Sequence, residues 1–148
     1  MFLSEKRFAT IDRKVKSILK HNSKYSNPFD IADFYNINYH FVDLPNNISA
    51  YSNSKDCIIY INKCFKTDNY SAKILCAHEL GHIFLHYNDI AAMEYDRYID
   101  SEVTDESMKE YEANIFAILL MPQIAKGKNL FNYRPERLNR YINNKLRY

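Results

Sequence analysis

Apolar residues near the start of the chain recur at helical spacing, with charged residues between them. The apolar positions are Phe8, Ile11, Val15, Ile18 and Leu19, and this period is typical of an amphipathic helix. The stretch Asn27-Pro28-Phe29-Asp30 is typical of a turn leading into a second helix, because proline suits the first helical turn. The sequence therefore predicts a small N-terminal cap of two helices.

The middle of the chain is rich in β-branched and aromatic residues. Three such runs cover residues 39–42, 48–51 and 57–61, and turn-forming segments separate them. We therefore expect a small, mainly antiparallel sheet of three strands.

Two longer helices are predicted in the second half of the chain. Asp68 or Asn69 can cap a central helix that continues to about His86. The next helix begins near Asp105, and Pro122 ends it because proline cannot continue a helix. The sequence therefore predicts a helix pair beside the sheet.

Composition and length favour one folded domain. The chain has 148 residues, of which 47% are apolar and 26% are charged, as in ordinary globular proteins. Residues 87–105 show no period and are predicted to be a loop, and residues 123–148 are predicted to form a basic helical tail. We therefore expect a single α+β domain over residues 1–148.

The sequence shows neither a membrane span, nor a secretory signal, nor a pattern of paired cysteines. The longest apolar run, residues 115–121, is far shorter than a membrane span, and the N-terminus lacks the apolar core of a secretory signal. The three cysteines, Cys57, Cys64 and Cys76, form no CxxC pair and are odd in number, which favours buried, reduced thiols. A cytoplasmic protein is expected.

Charge is unevenly distributed, although the net charge is only +2. Residues 1–24 carry a net +5, residues 123–148 a net +6, and residues 87–112 a net −7. Solvated faces are the simplest interpretation of each run. Alternatively, the acidic segment could attract a basic partner, or the basic ends, with their tyrosines Tyr133, Tyr141 and Tyr148, could bind nucleic acid directly. Direct nucleic-acid binding is the less favoured interpretation.

The central helix contains the motif His78-Glu79-Leu80-Gly81-His82. Residues four apart lie on one helical face, so His78 and His82 can bind one Zn²⁺ ion through their imidazole nitrogens. Glu79, one step around the helix, can act as general base on a water that zinc activates. Gly81 lies inside a helix, where glycine is unfavourable, and this favours close approach of another element or a ligand. The motif therefore predicts peptide hydrolysis.

A catalytic zinc needs a third protein ligand. His86 lies about 12 Å along the helix from His78, so it is predicted to support the site or the core instead. Glu112 shares the apolar stripe of the following helix, and a buried carboxylate there needs a partner. Glu112 is therefore the predicted ligand. Glu110 points away from the stripe and is expected to be solvated, and it is kept as a substitute ligand. Asn114 could orient a ligand, anchor the start of the helix or be a tolerated polar residue.

These residues resemble the ImmA/IrrE-type zinc metallopeptidases. The resemblance depends on the HExxH motif and on the segment from Glu112 to Pro122, Glu-Ala-Asn-x-Phe-Ala-x-Leu-Leu-Met-Pro, and it covers roughly residues 27–122. It implies a zincin-like fold and a gluzincin-like site in which His78, His82 and Glu112 bind zinc and Glu79 is the base.

The resemblance also implies a substrate. Better-known members of this family occur in bacteria, phages and mobile elements, where they cleave a helix-turn-helix repressor. The predicted partner is accordingly a separate repressor polypeptide. The alternative is a metal-stabilised regulator that binds a repressor or toxin without cleaving it. For the residue that stabilises the oxyanion, the sequence leaves four candidates open: Tyr95, Tyr98, Tyr111 and His86.

Overall fold

The computed structural model of the chain describes residues 5–22, 27–86 and 105–122. In chain order the elements are α1 (Glu5–His21), α2 (Pro28–Phe34), β1 (Asn38–Val42), β2 (Ala50–Asn53), β3 (Ile58–Asn62), a short 3-10 helix (Lys63–Phe65), α3 (Asn69–His86) and α4 (Asp105–Leu120). The α+β fold class and the order of elements predicted from the sequence are confirmed. The 3-10 helix is an addition that the apolar pattern did not indicate.

Side-chain caps fix where the helices begin. Asn27 accepts a hydrogen bond at Oδ1 from the backbone N–H of Phe29 (2.7 Å), and Pro28 occupies the first turn of α2. Asp68 accepts bonds from the backbone N–H of Ser71 (3.1 Å) and from the Ser71 hydroxyl (2.7 Å). These bonds satisfy N–H groups that a helix start leaves unpaired, so α2 and α3 begin where the sequence predicts.

The three-stranded sheet is mixed. Its order is β1-β3-β2, with β3 parallel to β1 and antiparallel to β2. The sequence predicts a mainly antiparallel sheet, whereas one of the two observed pairings is parallel. The difference arises because the chain passes from β1 to the edge strand β2 and returns between them as β3. The apolar period locates a strand but does not determine its neighbours.

The core lies between the sheet and the helices. The predicted apolar face of α1 is buried there, with Ile11, Val15 and Ile18 at most 2% exposed. Ile59 and Ile61 of β3 are fully buried on the inner face of the sheet. The packing of α3 between β2 and α4 places the predicted HExxH helix at the centre of the described fold.

Gly81 allows α3 and α4 to approach closely. A methyl group at this position would lie 3.0 Å from Ala113 Cα, 3.1 Å from Ala113 O and 3.1 Å from Phe116 Cβ. Two of these neighbours are backbone atoms, which cannot rotate away. Of the two reasons that the sequence offers for this glycine, the structure supports the approach of another element.

Replacing Gly81 with alanine is expected to destabilise the protein. Overpacking costs about 1–3 kcal/mol and outweighs the gain of at most about 1 kcal/mol in helix propensity. Urea unfolding of the wild type and Gly81→Ala would measure the difference. A variant more stable by the propensity gain would show that the helices can separate at no cost.

Several sequence predictions lie outside the described residues. They include the loop predicted over residues 87–105, except for Asp105, which is the first residue of α4. The basic tail over residues 123–148 and the tyrosines Tyr95 and Tyr98 also lie outside. The three cysteines are free, but only Cys76 is buried as predicted, because Cys57 is half-buried and Cys64 is exposed. Within the described ranges, the structure contains no helix of the length and hydropathy that a bilayer crossing needs.

Candidate metal centre

His78 and His82 lie on the face of α3 that packs against α4. Their Nε2 atoms are 3.2 Å apart. Because both rings present the same nitrogen to the same point, the spacing of four residues has the geometric consequence that the sequence predicts.

Glu110 of α4 supplies the carboxylate that meets these two rings. Its Oε2 lies 2.9 Å from His78 Nε2, and its Oε1 lies 3.0 Å from His82 Nε2. One ligand atom from each of His78, His82 and Glu110 can be chosen so that all lie within 4.8 Å of one another. Three atoms around a tetrahedral zinc would be about 3.3 Å apart, given bonds of about 2.0–2.1 Å. The three side chains therefore fit a single metal ion.

Glu112, the predicted third ligand, does not join this cluster. It is fully buried, and its carboxylate accepts hydrogen bonds from Arg7 Nε (3.1 Å) and Arg7 Nη2 (2.9 Å). Its Oε1 also lies 2.9 Å from His86 Nε2. Two residues along a helix turn the side chain by about 200°, so Glu110 faces α3 while Glu112 faces α1. In the structure Glu110, and not the predicted Glu112, therefore lies against both histidines.

Asn114 lies one helical turn after Glu110 and contacts the same histidine. His78 Nδ1–H donates to Asn114 Oδ1 at 2.6 Å, which directs the opposite nitrogen, Nε2, to the cluster. Of the roles that the sequence leaves open for Asn114, the structure supports the orienting one.

Glu79 lies beside the cluster without joining it. The side chain is 5% exposed, and its Oε2 is a buried atom without a hydrogen-bond partner among the described residues. A hydrogen bond links its carboxylate to Ser52 of β2. Burial raises the pKa of Glu79, and the nearby histidines only partly oppose this effect. An unpartnered buried carboxylate oxygen needs a donor, and a water between Glu79 and the cluster would provide one.

A groove of about 610 Å³ opens beside these residues. The stretch 47–52, which includes the start of β2, forms one wall, and Lys109 and Glu110 of α4 lie on the other side. His78, Glu79 and His82 form the floor. The groove therefore gives an extended ligand access to the cluster.

Comparison with known families agrees with this site. A family model described as Peptidase M78, IrrE N-terminal-like domain, matches residues 22–143. The chain belongs to the M78 peptidase family. Searches of curated proteins and of solved structures returned no match. The resemblance to ImmA/IrrE-type proteins is confirmed, and the M78 match together with the His78/His82/Glu110 cluster supports a metallopeptidase.

Electrostatics in this M78 domain favour a charged cluster before metal binds. Hydrogen bonds from His78 and His82 hold the pKa of Glu110 far below its usual value. Burial alone would lower the pKa of His78, but its bond to Glu110 and the nearby carboxylates raise it above the ordinary value. A metal ion would replace the protons that now lie between these side chains.

Asn62 is a structural residue of the site that the sequence analysis missed. Its buried side chain donates to the carbonyl oxygens of Leu44 (3.2 Å), Pro45 (3.3 Å) and Ile48 (3.0 Å). It also accepts from the N–H of Cys64 (3.2 Å). Asn62 thereby holds the loop before β2, which forms a wall of the groove. A single asparagine at the end of a strand carries no signal of this role.

Of the two candidate oxyanion residues that the structure describes, His86 lines the groove and Tyr111 does not. Tyr111 is 3% exposed and packs in the core. His86 is 7% exposed, and its two nitrogens contact His82 and Glu112. The prediction that His86 supports the site rather than binding metal agrees with these contacts.

Proposed function

We propose that this M78 domain is a zinc-dependent endopeptidase that cleaves a helix-turn-helix repressor or another regulatory protein. The observation that carries the proposal is the cluster of His78, His82 and Glu110 beside Oε2 of Glu79, for which the described part of the chain offers no hydrogen-bond partner. These are the two functions that metal-assisted hydrolysis requires, a set of ligands and a separate base.

Zinc suits these ligands better than other common ions. Two imidazoles and one carboxylate are typical of catalytic zinc, which keeps a further position for water or substrate, whereas magnesium and calcium prefer oxygen ligands. When bound, zinc would supply Lewis acidity that polarises a peptide carbonyl and makes water more acidic. His78 and His82 would hold it through Nε2, and Glu110 through its carboxylate.

Glu79 would act as the general base. Glu79 directly follows His78 in the sequence, and its Oε2 is buried and has no hydrogen-bond partner among the described residues. Because its pKa is raised towards neutral pH, Glu79 can both accept and return a proton efficiently. The hydrogen bond from Ser52 would hold one end of the carboxylate while the other accepts the proton of the attacking water.

The edge strand β2 would position the substrate. Within the described sheet, β2 pairs on one side with β3, and residues 50–52 line the groove. Backbone groups on the other side of an edge strand can pair with an extended peptide. This arrangement supports cleavage of a flexible segment of a protein rather than of a compact domain.

A repressor substrate is supported by family membership and by charge. The net −7 of residues 87–112 would favour encounter with a basic DNA-binding protein. The family carries most of this argument, because the groove itself does not distinguish one flexible segment from another.

Peptide cleavage by the zinc-loaded protein tests the proposal. A proteome-derived peptide library and purified helix-turn-helix repressors, with an unrelated folded protein as control, would be incubated with it and analysed by mass spectrometry. We expect new termini that disappear with a chelator and return with Zn²⁺. Absence of zinc-dependent termini in both the library and the repressors would contradict the peptidase function. Cleavage of the library but of no repressor would contradict a helix-turn-helix repressor as the substrate and leave another regulatory protein.

A further inference from the structure

A chain of buried polar contacts connects α1 to the metal cluster. Arg7, 8% exposed, makes a two-point contact with the fully buried carboxylate of Glu112. Glu112 Oε1 lies 2.9 Å from His86 Nε2, and His86 Nδ1 lies 2.9 Å from His82 Nδ1. This chain of contacts thus ends on His82, one of the three cluster residues.

The direction of the hydrogen bonds in this chain follows from metal binding. If His82 gives Nε2 to a metal, its proton is on Nδ1, and His86 Nδ1 must accept it. A neutral His86 then carries its own proton on Nε2 and must donate to an acceptor, which is Glu112. Arg7 offers only donors, so it keeps Glu112 an ionised acceptor. Each hydrogen bond in the series therefore has one donor and one acceptor.

We propose that Arg7 is a positioning residue of the metal centre, which acts through Glu112 and His86 to hold the ring of His82 in its metal-binding orientation. The inference rests on the proposed metal site. Arg7 precedes the part of the chain that the family model matches, residues 22–143, so the family match assigns it no role. Asn114 does for His78 what this longer chain does for His82.

A purely structural ion pair is the competing explanation. Buried ion pairs are often no more stabilising than apolar residues of similar volume, and a pair of that kind would have no effect on metal affinity. Outer partners of metal-binding histidines, in contrast, typically change affinity by about 10–100-fold. Metal affinity therefore separates the two explanations.

The test uses variants at both ends of the chain of contacts. His86→Leu removes the link and leaves the Arg7–Glu112 pair intact. His86→Gln can accept from His82 and donate to Glu112, so it is the conservative rescue. Arg7→Met removes the far end, and Arg13→Met, at an exposed position of the same helix, is the matched control. Arg7→Lys, which keeps the charge but loses the two-point contact, replaces Arg7→Met if that variant does not fold.

Zinc affinity is measured by competition with a chromophoric chelator, and ligand geometry by the visible spectrum of the Co²⁺-loaded protein. We expect binding weaker by about 10–100-fold and an altered cobalt spectrum in His86→Leu and Arg7→Met, and a smaller loss in Arg7→Lys. His86→Gln and Arg13→Met should resemble the wild type.

Each other outcome has a defined meaning. Wild-type affinity and spectrum in folded Arg7→Met or Arg7→Lys would overturn the inference, whatever the result for His86→Leu, and would leave the peptidase proposal standing. The expected losses of affinity in a protein that cleaves no peptide would support the inference and contradict the proposed function. A wild-type protein that binds neither ion would overturn both.

Discussion

Glu79→Gln is expected to bind zinc as the wild type does and to lose peptide hydrolysis by about 10²–10⁴-fold, the range that a general base contributes. The amide has nearly the shape of the carboxylate but cannot accept the proton of the attacking water. Because Glu79 lies outside the group of three that could hold the ion, removing its charge leaves that group intact. Cleavage rates on a peptide identified from the library, together with zinc affinities, would measure the two effects separately.

Glu5→Gln, at an exposed position of α1, is the control for loss of a carboxylate far from the groove. A Glu79→Gln protein that still cleaves at the wild-type rate would show that another group is the base. A variant that binds zinc, cleaves nothing and keeps full biological activity would instead favour the non-cleaving regulator.

Glu110→Ala is expected to weaken zinc binding by more than the roughly 10–100-fold that an outer partner contributes. This change removes one of the three proposed ligands, whereas Glu112→Gln changes a residue that is linked to His82 through His86. Glu112→Gln should therefore lose less affinity but more stability, because it weakens a buried pair with Arg7. Chelator competition would rank the two variants by zinc affinity, and urea unfolding would rank them by stability. We expect the two rankings to be opposite.

The comparison between neighbouring glutamates decides between two ligand sets. The sequence predicts Glu112 as the ligand, and the structure places Glu110 against both histidines. A larger loss of zinc affinity in Glu112→Gln than in Glu110→Ala would restore the sequence prediction and contradict the structural assignment.

Local signals in the sequence were sufficient for much of the fold. The caps at Asn27 and Asp68 depend on residues two or three positions away, so their effect can be predicted without tertiary structure. The HExxH spacing works in the same way, because one helix fixes the relation between His78 and His82. Gly81 was informative because an unfavourable residue in a helix implies a compensating contact, which Ala113 provides.

The third ligand could not be predicted in this way. The apolar stripe correctly indicated that Glu112 is buried, but a buried carboxylate can be paired with an arginine as well as with a metal. Its partner, Arg7, lies 105 residues away in the sequence. Glu110 lies outside that apolar stripe, so the sequence favoured solvent over a metal site at this position. Its side chain is in fact 62% exposed, although it contacts both histidines. Only the packing of α3 on α4 distinguishes these two carboxylates.

Anomalous diffraction at the zinc absorption edge, from crystals of the zinc-loaded protein, would locate the metal ion and identify its ligands. We expect one strong peak about 2.0–2.2 Å from the Nε2 atoms of His78 and His82 and from a carboxylate oxygen of Glu110. A peak bound by Glu112 instead of Glu110 would contradict the assignment of the third ligand. No peak between the two histidines would contradict the metal site itself.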